Sequence, residues 1–228
     1  EDTATYINKR VTKSKINDGI TFYKKKFLII NDVEKKFDVE KDLLLALMGI
    51  ETNFGKYLGK MNIVSSLATL SFDKRRSEFF TKELLILLKL IDNEIIDPSI
   101  LYGSWAGAFG NFQFMPRTIK NYAIDYDANS VIELKKIEDS FASAANYINK
   151  IGWKKGDPCF YRVKLTKEIN KKYFNSSARK LTHKLTISKW KKKGIVNYDG
   201  SQLKTNLKAT LILPDGKPET PTYLVFDN

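Results

Sequence analysis

A chain of 228 residues with 43% hydrophobic and 12% aromatic side chains is long enough to bury one sizeable core, which excludes an intrinsically disordered protein. Its longest apolar runs, 43–50 and 84–88, are far shorter than the about 20 residues of a membrane-spanning helix. A single cysteine, Cys159, excludes an internal disulfide, and a single histidine, His183, argues against a multi-histidine metal site. The net charge of +13 favours a polyanionic partner such as nucleic acid, an anionic membrane surface or a carboxylate-rich cell wall.

The first two-thirds of the chain predict a series of helices. Capping residues and a first-turn proline mark where five of them are expected to begin. In chain order these starts are Asn17-Asp18, Asp38, Ser77, Pro116 and Asp139-Ser140. The helix that begins at Ser77 is expected to end near Ile91, and the last one is expected to end at Gly152.

The helix expected after Asp38 carries an acidic residue on its apolar side. Its predicted buried stripe consists of Leu43, Leu47, Ile50 and Phe54. Glu51 falls on the same stripe, and burial disfavours the charged form of a carboxyl, so the position predicts a protonated side chain suited to general acid catalysis. The alternative is a helix-end glutamate that faces solvent or pairs with Lys56 or Lys60.

Residues 103–116 interleave three glycines with four aromatic residues. Glycine allows the backbone to approach a ligand closely, and aromatic rings offer flat apolar faces to sugars. The segment therefore predicts either one wall of a binding groove or a tightly packed buried loop.

After Asp157-Pro158 the pattern changes to short β-type runs at 159–165, 209–213 and 223–226. We therefore divide the chain into a helical domain, residues 1–157, and a small lysine-rich β or mixed subdomain, residues 158–228. The lysine runs at 171–172 and 191–193 are typical of a solvated face, and a specific binding role is the alternative.

Five blocks of sequence, taken in order, resemble the membrane-bound lytic murein transglycosylase B family. The blocks are Gly49-Ile50-Glu51-Thr52-Asn53-Phe54-Gly55, Ala68-Thr69-Leu70-Ser71-Phe72, Arg75-Arg76-Ser77-Glu78-Phe79-Phe80, the glycine and aromatic segment that ends at Gln113-Phe114-Met115-Pro116, and Ala145-Asn146-Tyr147. The resemblance implies an α+β, mainly α fold, with a lysozyme-like helical catalytic core followed by a small C-terminal β or mixed subdomain.

The resemblance also implies a set of functional residues. The family's catalytic acid/base matches Glu51. Residues that contact or line the sugar site match Ser104, Gln113 and Tyr147, and a basic pair suited to the lactyl carboxylate or stem peptide matches Arg75 and Arg76. Arginine guanidinium groups bind carboxylates through paired hydrogen bonds, which agrees with that role.

The implied reaction is cleavage of the MurNAc-GlcNAc β-1,4 bond of peptidoglycan with formation of 1,6-anhydromuramoyl ends. One glutamate serves as acid and then as base, because the muramic acid's own 6-hydroxyl attacks the anomeric carbon. A muramidase that uses water, with Asp73 or Glu78 as helper, is the nearest alternative. A catalytically weak murein-binding or scaffold module is the second, and a nucleic-acid binder ranks last because no nucleic-acid motif accompanies the lysines.

The expected partners are peptidoglycan glycan strands and stem peptides, and no nucleic acid. The resemblance places the chain in the periplasm or the bacterial cell envelope, either free or anchored to the outer membrane through a removed N-terminal segment, and we expect a monomer. Related sequences usually continue with a further strand and an aromatic-rich helix that closes the groove. Either this chain is a shortened piece of a longer protein or this member of the family has lost that wall, and we expect the former.

No cofactor and no metal are expected. The family often has an EF-hand-like loop, and Asp125, Asp127 and Asn129 fit its first, third and fifth positions. Ser130 replaces the turn glycine, and Lys136 stands at the twelfth position, where its charge would oppose a cation. The expectation is weak calcium binding or none, with the loop kept as scaffold.

Overall fold

The computed structural model describes residues 1–179, 181–203 and 206–227. The helices are α1 (Thr3–Arg10), α2 (Lys13–Phe37), α3 (Lys41–Thr52), α4 (Ile63–Phe72), α5 (Ser77–Asp92), α6 (Pro116–Tyr122), α7 (Ile137–Lys150) and α8 (Ile187–Lys192). The strands are β1 (Met61–Asn62), β2 (Tyr102–Gly103), β3 (Phe160–Leu165), β4 (Leu185–Thr186), β5 (Ile195–Asn197), β6 (Lys208–Ile212) and β7 (Thr222–Val225). Short 3-10 helices lie at Pro98–Ile100 and Lys171–Tyr173. The predicted mainly helical α+β fold with a small C-terminal β part is confirmed.

The chain packs into two compact units, one formed by Lys13–Lys155 and the other by Glu1–Thr12 together with Gly156–Asn228. The sequence-based division into a helical domain, residues 1–157, and a small β or mixed subdomain packed on it, residues 158–228, stays a prediction. None of the helices in the described residues has both the length and the apolar character needed to cross a membrane.

The helical unit is organised around a core that α2, α3, α4, α5 and α7 share. Within it α2 packs on α3 and α7, α4 packs on α5, and α6 packs on both α5 and α7. The largest side chains at its centre are essentially inaccessible to solvent, among them Phe141, Leu44, Met48 and Leu67. Side chains of this size contribute about 1.5 to 3 kcal/mol each when fully buried, so the core fixes where α3 and α7 lie.

Helix α3 buries a different face from the one predicted. Leu44, Met48 and Thr52 are buried, whereas Ile50 is 54% exposed. The helix ends at Thr52 because Asn53 and Phe54 both adopt positive φ, so Phe54 no longer belongs to a helical stripe. Its ring instead packs between α2 and α3.

Two glycines make room for the ring of Phe54. A Cβ on Gly19 of α2 would lie 2.9 Å from Phe54 Cζ, and a Cβ on Gly49 of α3 would lie 2.8 Å from the same atom. Both distances are too short for packed carbon atoms, so glycine allows the ring to sit against each helix. The Phe22 ring adds a contact at 5.7 Å between centroids.

Three of the expected helix starts are wrong by a few residues. Asn17 and Asp18 lie inside α2, and α7 begins at Ile137, before Asp139-Ser140. Asp38 has a φ of +54° and its N–H donates to the Glu34 carbonyl, so it ends α2 instead of capping α3. The starts at Ser77 and Pro116 are confirmed.

The other unit contains a five-stranded antiparallel sheet in the order β4-β6-β7-β3-β5. One face covers a second core around Trp190 of α8, which is fully buried and donates a hydrogen bond to the Ala209 carbonyl at 2.9 Å. The remaining strands, β1 and β2, form a two-residue antiparallel pair in the helical unit, with Met61 opposite Gly103.

Candidate active site

A groove of about 260 Å³ opens on the helical unit. It is lined by Leu47, Glu51, Phe112, Gln113, Phe114, Met115, Thr118, Ala144, Tyr147 and Ile148. These residues come from the end of α3, the segment before α6, α6 itself and the last part of α7. The groove therefore brings together three of the predicted site residues: Glu51, Gln113 and Tyr147.

Glu51 lies in the last turn of α3, and its side chain is exposed. The expectation of a buried carboxyl is wrong, because the buried face of α3 is the one that carries Leu44 and Met48. The predicted alternative, a helix-end glutamate that faces solvent, is confirmed, whereas pairing with Lys56 does not occur, since Lys56 Nζ binds Asp18 at 2.7 Å. Within the described residues Glu51 has neither a hydrogen-bond nor an ion-pair partner, so its carboxyl is available to a ligand in the groove.

The neighbouring residue, Thr52, joins α3 to the segment that carries Gln113. Its hydroxyl is fully buried and donates to the Asn111 carbonyl at 2.9 Å and to the Met48 carbonyl at 3.2 Å. It also accepts a hydrogen bond from the Gly55 N–H at 3.1 Å. One hydroxyl thus fixes the helix end that carries Glu51 against the opposite part of the groove.

Asn111 continues this network towards α7. Its N–H donates to the Leu134 carbonyl at 2.8 Å, and its side-chain amide donates to Lys135 O at 3.1 Å and to Ser140 Oγ at 2.9 Å. Asn111 is only 2% exposed, so these bonds form in a buried setting where an unmade bond would be costly.

Gln113 has a φ of +51°, an uncommon conformation for a residue other than glycine. Its Nε2 donates to the Gly110 carbonyl at 3.0 Å and to the Leu58 carbonyl at 3.4 Å. None of the described residues donates to its Oε1. The amide is therefore oriented by the protein while its acceptor oxygen stays available.

Tyr147 projects from α7 and is held by neighbouring rings. The Phe114 ring lies edge-on at 6.0 Å between centroids, and the Tyr122 ring lies at 5.0 Å. Such edge-to-face pairs restrict the orientation of a ring. Tyr147 consequently forms a firm side of the groove.

The three other predicted residues do not line the groove. The Ser104 hydroxyl accepts a hydrogen bond from the Ala108 N–H at 3.0 Å, which closes a turn. The Arg75 guanidinium binds Asp73, with Nε to Oδ1 at 3.1 Å, and this interaction lowers the pKa of Asp73 to about 2. The Arg76 guanidinium lies 4.5 Å from the centroid of the Phe79 ring.

The groove residues Phe112, Phe114 and Met115 belong to segment 103–116, for which a groove wall was one of the two predictions. Sequence reasoning assigned no site role to Leu47, Thr118, Ala144 and Ile148. A usable signal exists for two of them. Ala144 and Ile148 lie three residues before and one residue after Tyr147, so a helical projection of α7 places them on or beside the same face. For Leu47 no such signal exists, because its apolar side chain equally suits the core.

The acidic residues that come together in the loop before α7 are not all at the positions predicted from the EF-hand pattern. Oxygen atoms of Asp125, Asp127 and Asp139 lie within 4.8 Å of one another, and Asp139 is fully buried. The carboxylate expected at the twelfth position, where the chain has Lys136, is therefore provided three residues later by Asp139. Lys136 binds Glu133 instead.

The donor set in this loop fits a hard cation such as calcium, which prefers carboxylate oxygens. Asp125, Asp127 and Asp139 would hold it, and the ion would tie the loop to the start of α7. In the structure the two Asp139 oxygens accept hydrogen bonds from the N–H groups of Tyr126 and Glu133, at 2.8 and 2.7 Å. The expectation of weak calcium binding or none stays a prediction.

The chain is similar to known proteins both in sequence and in fold. Residues 1–228 match the family described as transglycosylase SLT domain. The chain is similar to the membrane-bound lytic murein transglycosylase B of Escherichia coli K12, with 37% identity over 153 residues, which cover 67% of this chain and 42% of that protein.

Two solved structures are also similar to this chain. SltB3 from Pseudomonas aeruginosa, in complex with NAG-NAM-pentapeptide, has a TM-score of 0.88 and 30% identity, covering 97% of this chain and 59% of that one. The Escherichia coli lytic transglycosylase Slt35, in complex with calcium, has a TM-score of 0.80 and 29% identity, covering 98% of this chain and 69% of that one. The chain thus spans less than two-thirds of the curated relative and of SltB3.

Proposed function

Since the chain belongs to the family of transglycosylase SLT domains, we propose that it is a lytic transglycosylase that cleaves the MurNAc-GlcNAc β-1,4 bond of peptidoglycan and leaves 1,6-anhydromuramoyl ends. One observation carries the choice of reaction. Among the described residues that line the groove, Glu51 is the only one with a carboxyl group. A glycoside hydrolase normally needs two carboxyls, whereas an intramolecular attack needs one.

In this mechanism Glu51 first donates its proton to the glycosidic oxygen, and the bond between that oxygen and the anomeric carbon breaks. The Glu51 carboxylate then accepts the proton of the muramic acid 6-hydroxyl, whose oxygen forms the new bond to the anomeric carbon. This second proton restores the protonated form of Glu51, and no water enters the product. Holding the 6-hydroxyl close to the anomeric carbon supplies the proximity advantage of an intramolecular reaction.

The remaining groove residues bind and orient the sugars. The Gln113 Oε1 is available to accept a hydrogen bond from an N-acetyl N–H or a sugar hydroxyl, because its Nε2 is held by Gly110 and Leu58. The Tyr147 ring forms an apolar side against which a sugar face can pack. Ser104, Arg75 and Arg76 lie outside the groove lining, and we propose that they contact parts of the polymer further along the strand.

The proposal extends to location and assembly. We propose that the chain acts in the periplasm or cell envelope as a monomer, and that a preceding segment anchors the whole protein to a membrane. The similarity to the membrane-bound lytic murein transglycosylase B of Escherichia coli supports this location.

Mass spectrometry of the products released from purified peptidoglycan tests the reaction. The protein should release muropeptides that are one water lighter than reducing fragments, and Glu51→Gln should release none while it keeps its fold and its binding to the polymer. Glu168→Gln, an exposed glutamate of the other unit, is the matched control and should behave like the parent protein.

Two other outcomes would contradict the proposal. Reducing ends would identify a muramidase, in which water replaces the 6-hydroxyl. Release that does not depend on Glu51 would remove Glu51 from its catalytic role, and binding without release would indicate that the groove only binds murein.

A further inference from the structure

A second cavity, of about 430 Å³, lies on the helical unit and shares no lining residue with the groove. It is lined by Lys82, Leu85, Ile86, Arg117, Lys120 and Asn121, from α5 and α6. Three of these six side chains are cationic, and the described lining contains no acidic side chain. Thr118, which lines the groove, is the neighbour of Arg117 on α6, so one short helix contributes to both cavities.

Arg117 is held in place by a buried carboxylate. Glu83 of α5 is 1% exposed, and its Oε2 accepts a hydrogen bond from the Arg117 N–H at 2.9 Å. Its Oε1 lies 3.4 Å from Arg117 Nε. The arginine is therefore oriented through its Nε, while none of the described residues accepts a hydrogen bond from its two terminal amino groups.

The other polar groups of the cavity are also available. Lys120 and Asn121 are exposed and have no hydrogen-bond or ion-pair partner among the described residues. Lys82 pairs with Glu78, but both side chains are mostly exposed, and exposed pairs of this kind stabilise weakly. A bound anion can therefore compete with Glu78 for the lysine.

The apolar residues define what kind of anion fits. Leu85 is 54% exposed, and together with Ile86 it forms an apolar part of the wall between the cations. A small inorganic anion would leave this surface uncovered. A carboxylate attached to a small aliphatic group would satisfy the donors and cover the apolar wall as well.

We propose that this cavity binds the carboxylates of peptidoglycan stem peptides and thereby holds the polymer beside the catalytic groove. The identity of the polymer rests on the proposed function, whereas the preference for an aliphatic carboxylate rests on the cavity itself. Because α6 contributes to both cavities, a peptide bound at Arg117 and Lys120 lies against the same helix as sugars bound at Thr118.

Binding to two forms of the polymer tests this proposal. All proteins carry Glu51→Gln, so that the polymer is not consumed, and binding is measured by co-sedimentation with peptidoglycan that carries its stem peptides and with glycan stripped of them. The double variant Lys82→Ala, Lys120→Ala should bind the peptide-bearing form about tenfold more weakly, a change of about 1.4 kcal/mol, and the stripped form equally well. Arg117 is left unchanged, because its loss would leave the buried Glu83 unpaired.

The matched control is Lys24→Ala, Lys25→Ala, which removes the same charge from exposed positions of α2. It should bind both forms like the parent. Equal losses in the two double variants would mean that only long-range charge matters, and equal losses on the two polymers would mean that stem peptides are not the ligand. Tighter binding to anionic lipid vesicles than to peptide-bearing polymer, lost in the cavity variant alone, would also overturn the proposal.

The cavity and the proposed function fail in distinguishable ways. With Glu51 intact, the cavity variant should cleave a short soluble glycan without peptides at the parent rate. If neither protein cleaves it while the binding pattern holds, the reaction is wrong and the cavity stands. If both cleave it and the binding pattern is absent, the cavity assignment is wrong and the reaction stands.

Discussion

At Thr52 a single hydroxyl links the helix that carries Glu51 to the segment that carries Gln113. A catalytic carboxyl at the end of a helix needs such support, because helix ends lack internal hydrogen bonds and fray. The support here comes from a residue that does not line the groove, so we expect Thr52 to act as a positioning residue for Glu51. Its effect on the reaction should be separable from its effect on stability.

Replacing Thr52 by valine keeps the volume and removes the hydroxyl. We expect kcat on peptidoglycan fragments to fall at least about tenfold, because small displacements of catalytic groups are costly, while KM changes little. The melting temperature should fall as well, because the Asn111 carbonyl and the Gly55 N–H lose their partner. Thr52→Ser should restore kcat.

Thr69→Val is the matched control for this substitution. The Thr69 hydroxyl also donates to a carbonyl four residues earlier, that of Ser65, but Thr69 is exposed and its hydroxyl forms no hydrogen bond to a described residue outside α4. It should leave kcat unchanged. A Thr52→Val protein that melts earlier but keeps the parent kcat would show that Thr52 is structural only.

Among single residues, the sequence allowed us to select Glu51 as a site residue but did not reveal that its side chain is exposed. Its position followed from a recognisable block, whereas its burial was inferred from a stripe that included Phe54. That inference failed because two consecutive residues, Asn53 and Phe54, adopt positive φ and end the helix. Nothing in helical periodicity announces such a change, since neither residue is glycine.

Between elements, Glu34 joins the end of α2 to the start of α3. Its Oε2 binds Lys41 Nζ at 2.9 Å, its Oε1 accepts from the Lys41 N–H at 3.3 Å, and Lys155 Nζ lies 3.7 Å away. Burial of Glu34 opposes its ionisation, but the hydrogen bonds from Lys41 and the two lysine charges outweigh burial and lower its pKa. The α2–α3 junction should therefore depend on pH.

A carboxyl whose pKa is lowered by folding stabilises the protein above its unfolded pKa, here 4.5, and this contribution is lost as pH falls through the lower folded value. Glu34→Gln should therefore reduce the free energy of unfolding at pH 7 by about 1 kcal/mol. The difference from the parent should shrink below pH 4.5 and vanish once Glu34 is protonated. Urea unfolding across this range measures it.

Glu168→Gln, at an exposed site, should show no such pH-dependent difference. A Glu34→Gln protein that is equally destabilised at acid and neutral pH would mean that the loss comes from packing of the side chain and not from its charge.

The loop that precedes α7 should respond to calcium. At about 1 mM, the range of weak calcium sites, calcium should raise the melting temperature, because binding to the folded loop stabilises the protein. Asp127→Asn should abolish the shift, and Lys136→Ala should enlarge it because a nearby positive charge is removed. Asp97→Asn, an aspartate in a comparable turn at Ser99, is the control.

A thermal shift assay with calcium, magnesium and a chelator measures this response. Unchanged melting at every calcium concentration would mean that the loop is held by its own hydrogen bonds, such as those from Tyr126 and Glu133 to Asp139.

Elements with strong local signals were predicted well, and those set by tertiary contacts were not. Pro116 marked the start of α6, and the amphipathic run from Ser77 gave α5 within one residue. Asp139 is a residue type that often caps helices, yet α7 begins earlier, at Ile137, and the Asp139 carboxylate accepts a hydrogen bond from the Tyr126 N–H in the preceding loop. A side chain's choice between partners depends on which part of the chain is close, and that information is not local.

Across the whole molecule, the net charge of +13 should act on encounter more than on chemistry. Salt screens long-range attraction, with a Debye length of about 10 Å at 0.1 M and about 3 Å at 1 M. Raising the salt concentration should therefore increase KM on intact peptidoglycan and leave kcat on a short soluble glycan nearly unchanged. Steady-state kinetics on the two substrates checks this. An equal fall of kcat/KM on both substrates would mean that the groove itself depends on screened charges.

At this scale the sequence pattern was informative, since the change to short β-type runs after Pro158 coincides with the start of the antiparallel sheet at β3. The strand order β4-β6-β7-β3-β5 was not predictable, because short alternating runs do not specify which strand they pair with. The placement of Arg75 and Arg76 outside the groove lining was equally inaccessible, since it depends on how the turn after α4 is oriented.

Every residue that lines the groove lies between Leu47 and Ile148, within one continuous stretch of the chain. The helical unit, Lys13–Lys155, contains all of these residues together with the core that holds α3 and α7 in place. We therefore expect substitutions confined to the other unit to leave the lining of the groove unchanged, so that relatives can differ there and still share the same groove.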